Sequence, residues 1–246
     1  MGQIPGIWRE QRLIESFDVD VRGRLRPQHM FAYLLNSAWN HTKGTDFGFN
    51  ELSERNLMWV LIRSQILIER SPEWGEEIQI ETWAKRTEKF YALRDFSIKS
   101  STGEKLVSAT SSWMILDKTS GRPQRFDHKT LNFPWVDKNE METSLGKVPE
   151  LTNGQQTAQY RVLYSDIDIN KHVNSARYLQ WIIDSHSCDF LKESEARSIE
   201  ISFLSSASQD DKISVLSQKT EAGESYSVRR VSDDRELCRA KIFWSR

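Results

Sequence analysis

A repeated order of patterns is the feature that most constrains this chain. Strand, long amphipathic helix and strand meander occur in that order twice along 246 residues. In the first pass LIESFDVDV (13–21) reads as a strand and the turn-like GRLRP follows. QHMFAYLLNSAWNHTKGT (28–45) then reads as a helix, its apolar set Met30, Phe31, Leu34, Leu35 and Ala38 recurring at helical spacing. Next come NLMWVLIRSQILIER (56–70), IQIETWAKR (78–86), FYALRDFSIKSS (90–101) and EKLVSATSSWMILDK (104–118), rich in β-branched residues and broken by turn chemistry.

In the second pass AQYRVLYSDID (158–168) reads as a strand, NKH as a turn and VNSARYLQWIIDSHSCDFLK (173–192) as a helix. Its apolar face is Val173, Ala176, Leu179, Trp181, Ile182 and Ile183. Four strand-like segments follow, at 198–206, 210–220, 224–232 and 236–246. Laying MFAYLLNSAW (30–39) on SARYLQWIID (175–184) sets Tyr33 on Tyr178, and WGEEIQI (74–80) falls on QDDKISV (209–215). One such unit leaves a sheet edge and an apolar face uncovered, whereas two can pair edge to edge into one sheet. The expected fold is therefore α+β: a half-domain at residues 1–136, a polar connector at 137–157 and a second half-domain at 158–246. In each half a long helix lies against a curved antiparallel sheet.

Composition excludes several classes. The formal net charge of −1 gives no global field for nucleic acid or an anionic membrane. No apolar run reaches the ~18 residues a membrane span needs. The first residues, MGQIPGIWRE, lack a signal-peptide pattern, and Gly6 stands where a myristoylation signal wants Ser or Thr. Cys188 and Cys238 sit in no CxxC or Cys/His cluster, so no zinc site or disulfide framework is expected and a reducing cytoplasm fits best. Within the second helix pattern, Cys188 is expected to face the core.

DIDINKHVNSARYLQWIID (166–184) carries the chemistry. Asp168, Asn170 and His172 alternate with Ile169 and Lys171 just before a helix, so three polar groups share one side. His172 can act as general base or acid near neutral pH. Asn170 can donate to a carbonyl or hold a water, and Asp168 can orient its neighbours or accept a proton. Free N–H groups of the helix opening near Val173 suit a developing oxyanion. Asp and Asn before a helix also serve as plain caps, and Asp166 reads as a cap or turn residue.

The stretches NLMWVLIRSQILIERSPEWGEEIQIETWAKR (56–86), LRDFSI (93–98) and SDIDINKHVNSARYLQWIID (165–184) resemble the acyl-acyl-carrier-protein thioesterases, of the bacterial type and related to the plant plastid enzymes. The similarity runs through nearly the whole chain, Asn40-His41 and WMILD (113–117) included. The resemblance implies a tandem hot-dog fold and hydrolysis of fatty acyl thioesters on acyl carrier protein, with release of free fatty acid. It assigns Asp168, Asn170 and His172 as catalytic; Asn174 and Tyr178 either shape the site or only pack, and Ser206 is a further substrate-binding candidate. It gives the first half the acyl-chain pocket, with Met30, Leu34, Trp39 and Met58 as lining candidates. His41 is expected to be structural.

Where the plant family carries a Glu followed by a Cys, this chain has Ser206 and Ala207. A covalent Cys–His route is thereby disfavoured and direct water attack is expected. Laid on the first half with Tyr33 on Tyr178, the constellation meets Gly23, Leu25 and Pro27, so that half is expected to be inert. The chemistry asks for no metal or organic cofactor. The expected partner is acyl carrier protein, an acidic protein, and two basic clusters could receive it: Arg22, Arg24 and Arg26, or Lys85, Arg86 and Lys89. An acyl-CoA thioesterase and a non-hydrolytic acyl-binding protein are the alternatives, and a homodimer of the tandem stays open.

Overall fold

A computed structural model describes residues 5–125, 133–141, 145–221 and 223–245. One ten-stranded antiparallel sheet carries the molecule. Its strands are β1 (Trp8–Leu13), β2 (Leu57–Ile68), β3 (Glu77–Glu88), β4 (Tyr91–Ser100), β5 (Lys105–Asp117), β6 (Gln155–Arg161), β7 (Glu195–Phe203), β8 (Lys212–Thr220), β9 (Gly223–Arg230) and β10 (Arg235–Ser245). Their spatial order is β1-β3-β4-β5-β2-β7-β10-β9-β8-β6. The first five strands of that order belong to the first half of the chain and the last five to the second. The halves meet edge to edge through β2 and β7, from Arg63 opposite Ser202 to Leu67 opposite Ser198.

Two long helices, α1 (Pro27–Thr42) and α3 (Ser175–Asp184), lie side by side against the sheet. Pro27 occupies the first helical position of α1, where its missing N–H is no loss and its fixed φ suits the helix. Met30, Phe31, Leu34 and Ala38 are buried on one stripe and meet Ile66, Ile80 and Phe96 of the sheet in the main core. The expected face of α3 is buried in full: Val173, Ala176, Leu179, Trp181, Ile182 and Ile183. Each half thus wraps an antiparallel sheet around a helix, the tandem hot-dog arrangement. Among the described residues no helix is long and apolar enough to cross a membrane.

Three expectations are corrected. The strand anticipated at 13–21 ends at Leu13. Beyond it, the Asp18 carboxylate accepts the Glu15 N–H and the Asp20 carboxylate accepts those of Arg22 and Arg24, which turns the chain out of the ladder. The second helix is two helices. Ser185 bonds back to the Ile182 carbonyl, and Ser187 caps a short α4 (Cys188–Glu193) by accepting the Phe190 N–H. That break resets the helical phase, so Cys188 faces solvent and not the core. A second short helix, α2 (Phe49–Glu54), precedes β2 without having been anticipated.

The connector lies against the sheet. The Glu140 N–H donates to Asp95 Oδ2 at 2.7 Å, the Lys138 carbonyl accepts from Trp83 Nε1, and the Val148 N–H donates to Ser202 Oγ. Beneath it Lys85 Nζ and Asp95 Oδ1 form a buried ion pair at 2.9 Å.

Candidate active site

The stretch from Leu163 to Asn174 is set by two aspartates. Asp166 is buried; Oδ2 accepts the Leu163 N–H at 2.8 Å, its Oδ1 pairs with Arg177 Nε at 2.9 Å, and its carbonyl accepts the Asn174 N–H. It is the turn residue the sequence suggested. Asp168 closes the next turn. Its N–H donates to the His172 carbonyl at 2.8 Å, and its Oδ1 accepts the N–H groups of Asn170 at 2.8 Å and His172 at 3.4 Å. Lys171 takes a left-handed φ of 63° at the apex. Oδ1 of Asp168 thus holds the geometry of the loop. It fixes the backbone of the two other polar residues, whose side chains form no hydrogen bond among the described residues and are left half-buried for chemistry.

The helix opening is less free than the sequence suggested. Asn174 is the N-cap of α3 and accepts the Ala176 N–H at 2.9 Å, and the Arg177 N–H bonds the Asn174 carbonyl. Two N–H groups of the first turn are thereby occupied, while the Asn170 side-chain amide has no partner among the described residues. Tyr178 is buried, and its hydroxyl accepts the Ala207 N–H at 2.9 Å. It thereby pins the segment that presents exposed Ser206. Burial pushes the Tyr178 hydroxyl far above its ordinary pKa, so it stays protonated.

The first half holds the same loop. Val19 bridges Leu25 as Ile167 bridges Val173, and the Arg26 N–H meets the Asp18 carbonyl as the Asn174 N–H meets that of Asp166. The Asp20 carboxylate accepts the N–H groups of Arg22 and Arg24, as Asp168 does for Asn170 and His172. The true counterparts of Asp168, Asn170 and His172 are Asp20, Arg22 and Arg24, and not Gly23, Leu25 and Pro27. Arg22 and Arg24 reach across to Glu195, and Arg22 also to the Lys192 carbonyl. They are engaged in holding the halves together, which removes them as a free basic patch. Lys85, buried against Asp95, removes the core of the other one.

Following the ladders outward relates the sheets too. Thr82, Phe96, Ala109 and Ile66 are lateral neighbours, as are Ser217, Tyr226, Ala240 and Ile201. In this register Glu195 corresponds to Val60. The pseudo-two-fold therefore carries Asn170 and His172 toward the Trp59–Val60 end of β2, as Arg22 and Arg24 lie toward Glu195.

An apolar cavity opens at that end, lined by Trp39, Phe47, Trp59, Trp113 and Phe133 with Arg94 at its wall. Of the four pocket candidates, Trp39 lines it; Met30 and Leu34 are buried in the main core, and Met58 is half-buried outside the lining. Arg94 went unnoticed in the sequence, where it looked like one polar residue in an alternating strand. It is buried, and its Nη1 contacts His41 Nδ1 at 3.0 Å and Thr82 Oγ1 at 3.1 Å. His41 is neutral: its Nε2–H donates to the Pro5 carbonyl and its Nδ1 accepts from Arg94. Burial, with the Arg94 charge beside it, holds its pKa down to about 4, and burial lowers Arg94 to about 10. The half-two counterpart of Arg94 is buried Glu224, bonded to Ser217 as Arg94 is to Thr82. Among the described residues no group of three or more His, Cys, Asp or Glu could hold a metal ion.

The fold and the loops define a double hot-dog protein whose two matching loops carry different side chains, Arg22 and Arg24 against Asn170 and His172. Family models for the acyl-ACP thioesterase N-terminal and C-terminal domains match residues 6–132 and 150–246, so the chain belongs to the acyl-ACP thioesterase family. It is similar to the solved acyl-ACP thioesterase of Bacteroides thetaiotaomicron, with TM-score 0.88, 26% identity and 98% of each chain covered. The 12:0-ACP thioesterase of Umbellularia californica shares the fold, with TM-score 0.86 at 22% identity over 100% of this chain and 99% of that one. A chloroplastic palmitoyl-acyl carrier protein thioesterase of Arabidopsis thaliana is 24% identical over 97% of this chain and 64% of its own length. A chloroplastic oleoyl-acyl carrier protein thioesterase of the same plant is 27% identical over 85% of this chain and 62% of its own. The chain thus spans under two thirds of the length of these curated relatives.

Proposed function

We propose that this protein hydrolyses the thioester of fatty acyl chains carried on acyl carrier protein, releasing free fatty acid in the cytoplasm. One observation carries the reading: in a chain matched by both family domains, Asp168 fixes the backbone of Asn170 and His172 and leaves their side chains unspent. We assign His172 as the general base that takes a proton from the attacking water and returns it to the leaving thiol. Asn170 donates its amide to the thioester oxygen as charge develops there. Asp168 is a positioning residue. Residues 1–136 supply the cavity for the acyl chain, 158–246 supply the chemistry, and 137–157 connect them.

Water attacks directly in this reading. Ala207 offers no thiol, Cys188 lies on α4 beyond the far end of α3, and the Cys238 thiol is buried, which pushes its pKa up. The tandem already pairs two hot-dog units, so the reading needs no second copy. Ser206 supports one rival, a protein that binds acyl groups without turnover, because a serine at neutral pH cannot replace a carboxylate base. Thiol release from a panel of acyl-carrier-protein and acyl-CoA thioesters separates the readings. Turnover of the carrier-protein donors supports the hydrolase, preference for CoA donors shifts the substrate, and tight binding without turnover favours the rival.

A further inference from the structure

Arg94 is a buried cation without an anion. Among the described residues it forms no ion pair, and only its Nη1 is hydrogen-bonded, to His41 and Thr82. Nε and Nη2 make no such bond, and the side chain lines the cavity. Several other buried charges are paired: Lys85 has Asp95, Glu81 has Arg9 and Lys99, and Asp166 has Arg177. An uncompensated charge in an apolar surrounding is costly, and the planar guanidinium fork matches a carboxylate in two parallel bonds. The other walls are aromatic and aliphatic, with Trp39, Trp59, Trp113 and Phe47 among them. A ligand for this space therefore has an apolar body and an anionic, oxygen-bearing tip.

We propose that the cavity is a carboxylate-binding site in which Arg94 receives the carboxylate of an apolar acid. His41 is the positioning residue. Held by the Pro5 carbonyl, it can only accept at Nδ1, and so fixes one edge of the guanidinium and turns the other toward the cavity. Two sources carry this chemistry: a free aliphatic acid that enters carboxylate first, or an acyl donor whose far end is itself a carboxylate. The site stands on its own geometry. Only the second source rests on the proposed hydrolase activity.

The test is binding of sodium decanoate and of decan-1-ol to the intact protein, followed by quenching of tryptophan fluorescence. Decanoate should bind about 10-fold or more tightly than the alcohol, the scale of charge-assisted hydrogen bonds. In Arg94→Met that ratio should fall to about one. Equal affinity for acid and alcohol in the wild-type protein overturns the proposal, as does an undiminished ratio in Arg94→Met. If Arg94→Met does not fold, Ala92→Phe fills the cavity from β4 and leaves Arg94 in place; it should abolish decanoate binding, and unchanged binding overturns the site. Hydrolysis of decanoyl-acyl carrier protein against 9-carboxynonanoyl-acyl carrier protein then separates the sources. A preference for the second assigns the acyl donor, and equal or poorer turnover with decanoate binding retained assigns the free acid. Absence of all turnover counts against the hydrolase reading and leaves the binding result standing.

Discussion

Gln65 of β2 lies directly opposite Glu200 of β7, and each is the other's counterpart in the repeat. The pseudo-two-fold of the molecule passes between them. Every difference between the halves can be read across that axis: Arg22 and Arg24 against Asn170 and His172, Arg94 against Glu224.

The division of labour in the loop makes the three substitutions unequal. His172→Ala and Asn170→Ala should each lower kcat/KM by about 10²-fold or more with the melting temperature unchanged, since neither side chain holds structure. Asp168→Ala should lower activity and also loosen the loop, because two N–H groups lose their acceptor. Thiol-release kinetics beside thermal melting distinguish the two patterns.

Tyr178→Phe deletes the acceptor of the Ala207 N–H in a buried place. Leaving that donor unsatisfied should destabilise the protein by about 1–3 kcal/mol, measured by urea unfolding. The segment bearing Ser206 should gain amide exchange before the rest of the sheet does.

His41 gives the protein an acid-sensitive term. Its folded pKa is about 4 against an ordinary 6.5, so below 6.5 the unfolded chain binds the proton more readily. The contribution is complete above pH 6.5 and is lost as pH falls toward 4, by roughly 3 kcal/mol in all. Urea midpoints between pH 4 and 8 should show this slope in the wild-type protein and a shallower one in His41→Gln.

Asp95→Ala strips the partner from buried Lys85 and an acceptor from the Glu140 N–H. Removing one member of a buried pair costs about 3–5 kcal/mol. The variant should melt well below the wild-type protein, while Glu88→Ala, at an exposed pair with Arg86, should shift it by about 1 kcal/mol or less.

Much of this architecture could be read from residue pattern. The stripe of α3 and the alternating strands are carried by local periodicity, and local periodicity is what burial demands. The register of the repeat could not be read the same way. Tyr33 on Tyr178 is attractive because an apolar helix face nearly repeats itself after one turn, so a slip of about a turn preserves the stripe. The caps reveal the slip, since Arg26 and Asn174 hold the same position before their helices. Cys188 was misplaced for a related reason. A Ser-His-Ser break is invisible to periodicity when apolar residues continue beyond it.

The site was legible as a cluster and illegible as a set of roles. Asp168 reads in the sequence as suited to chemistry and to geometry alike, and its two backbone partners are visible only in space. Arg94 escaped because a buried charge is recognised only by what stands near it. His41 lies far from it in sequence and touches it in space.

The loop at Asp20 bears on how such a protein can change. Two aspartates dictate the path of the chain at each place, and the positions two and four residues after the second are indifferent to whether they carry arginines or an asparagine and a histidine. In one half those positions hold a clasp onto the neighbouring half, and in the other, in the proposed reading, they meet the substrate. A duplicated motif has thus been split between carpentry and chemistry. The spare copy keeps a frame on which Arg22→Asn and Arg24→His would restore the missing pair, at the expense of the clasp to Glu195.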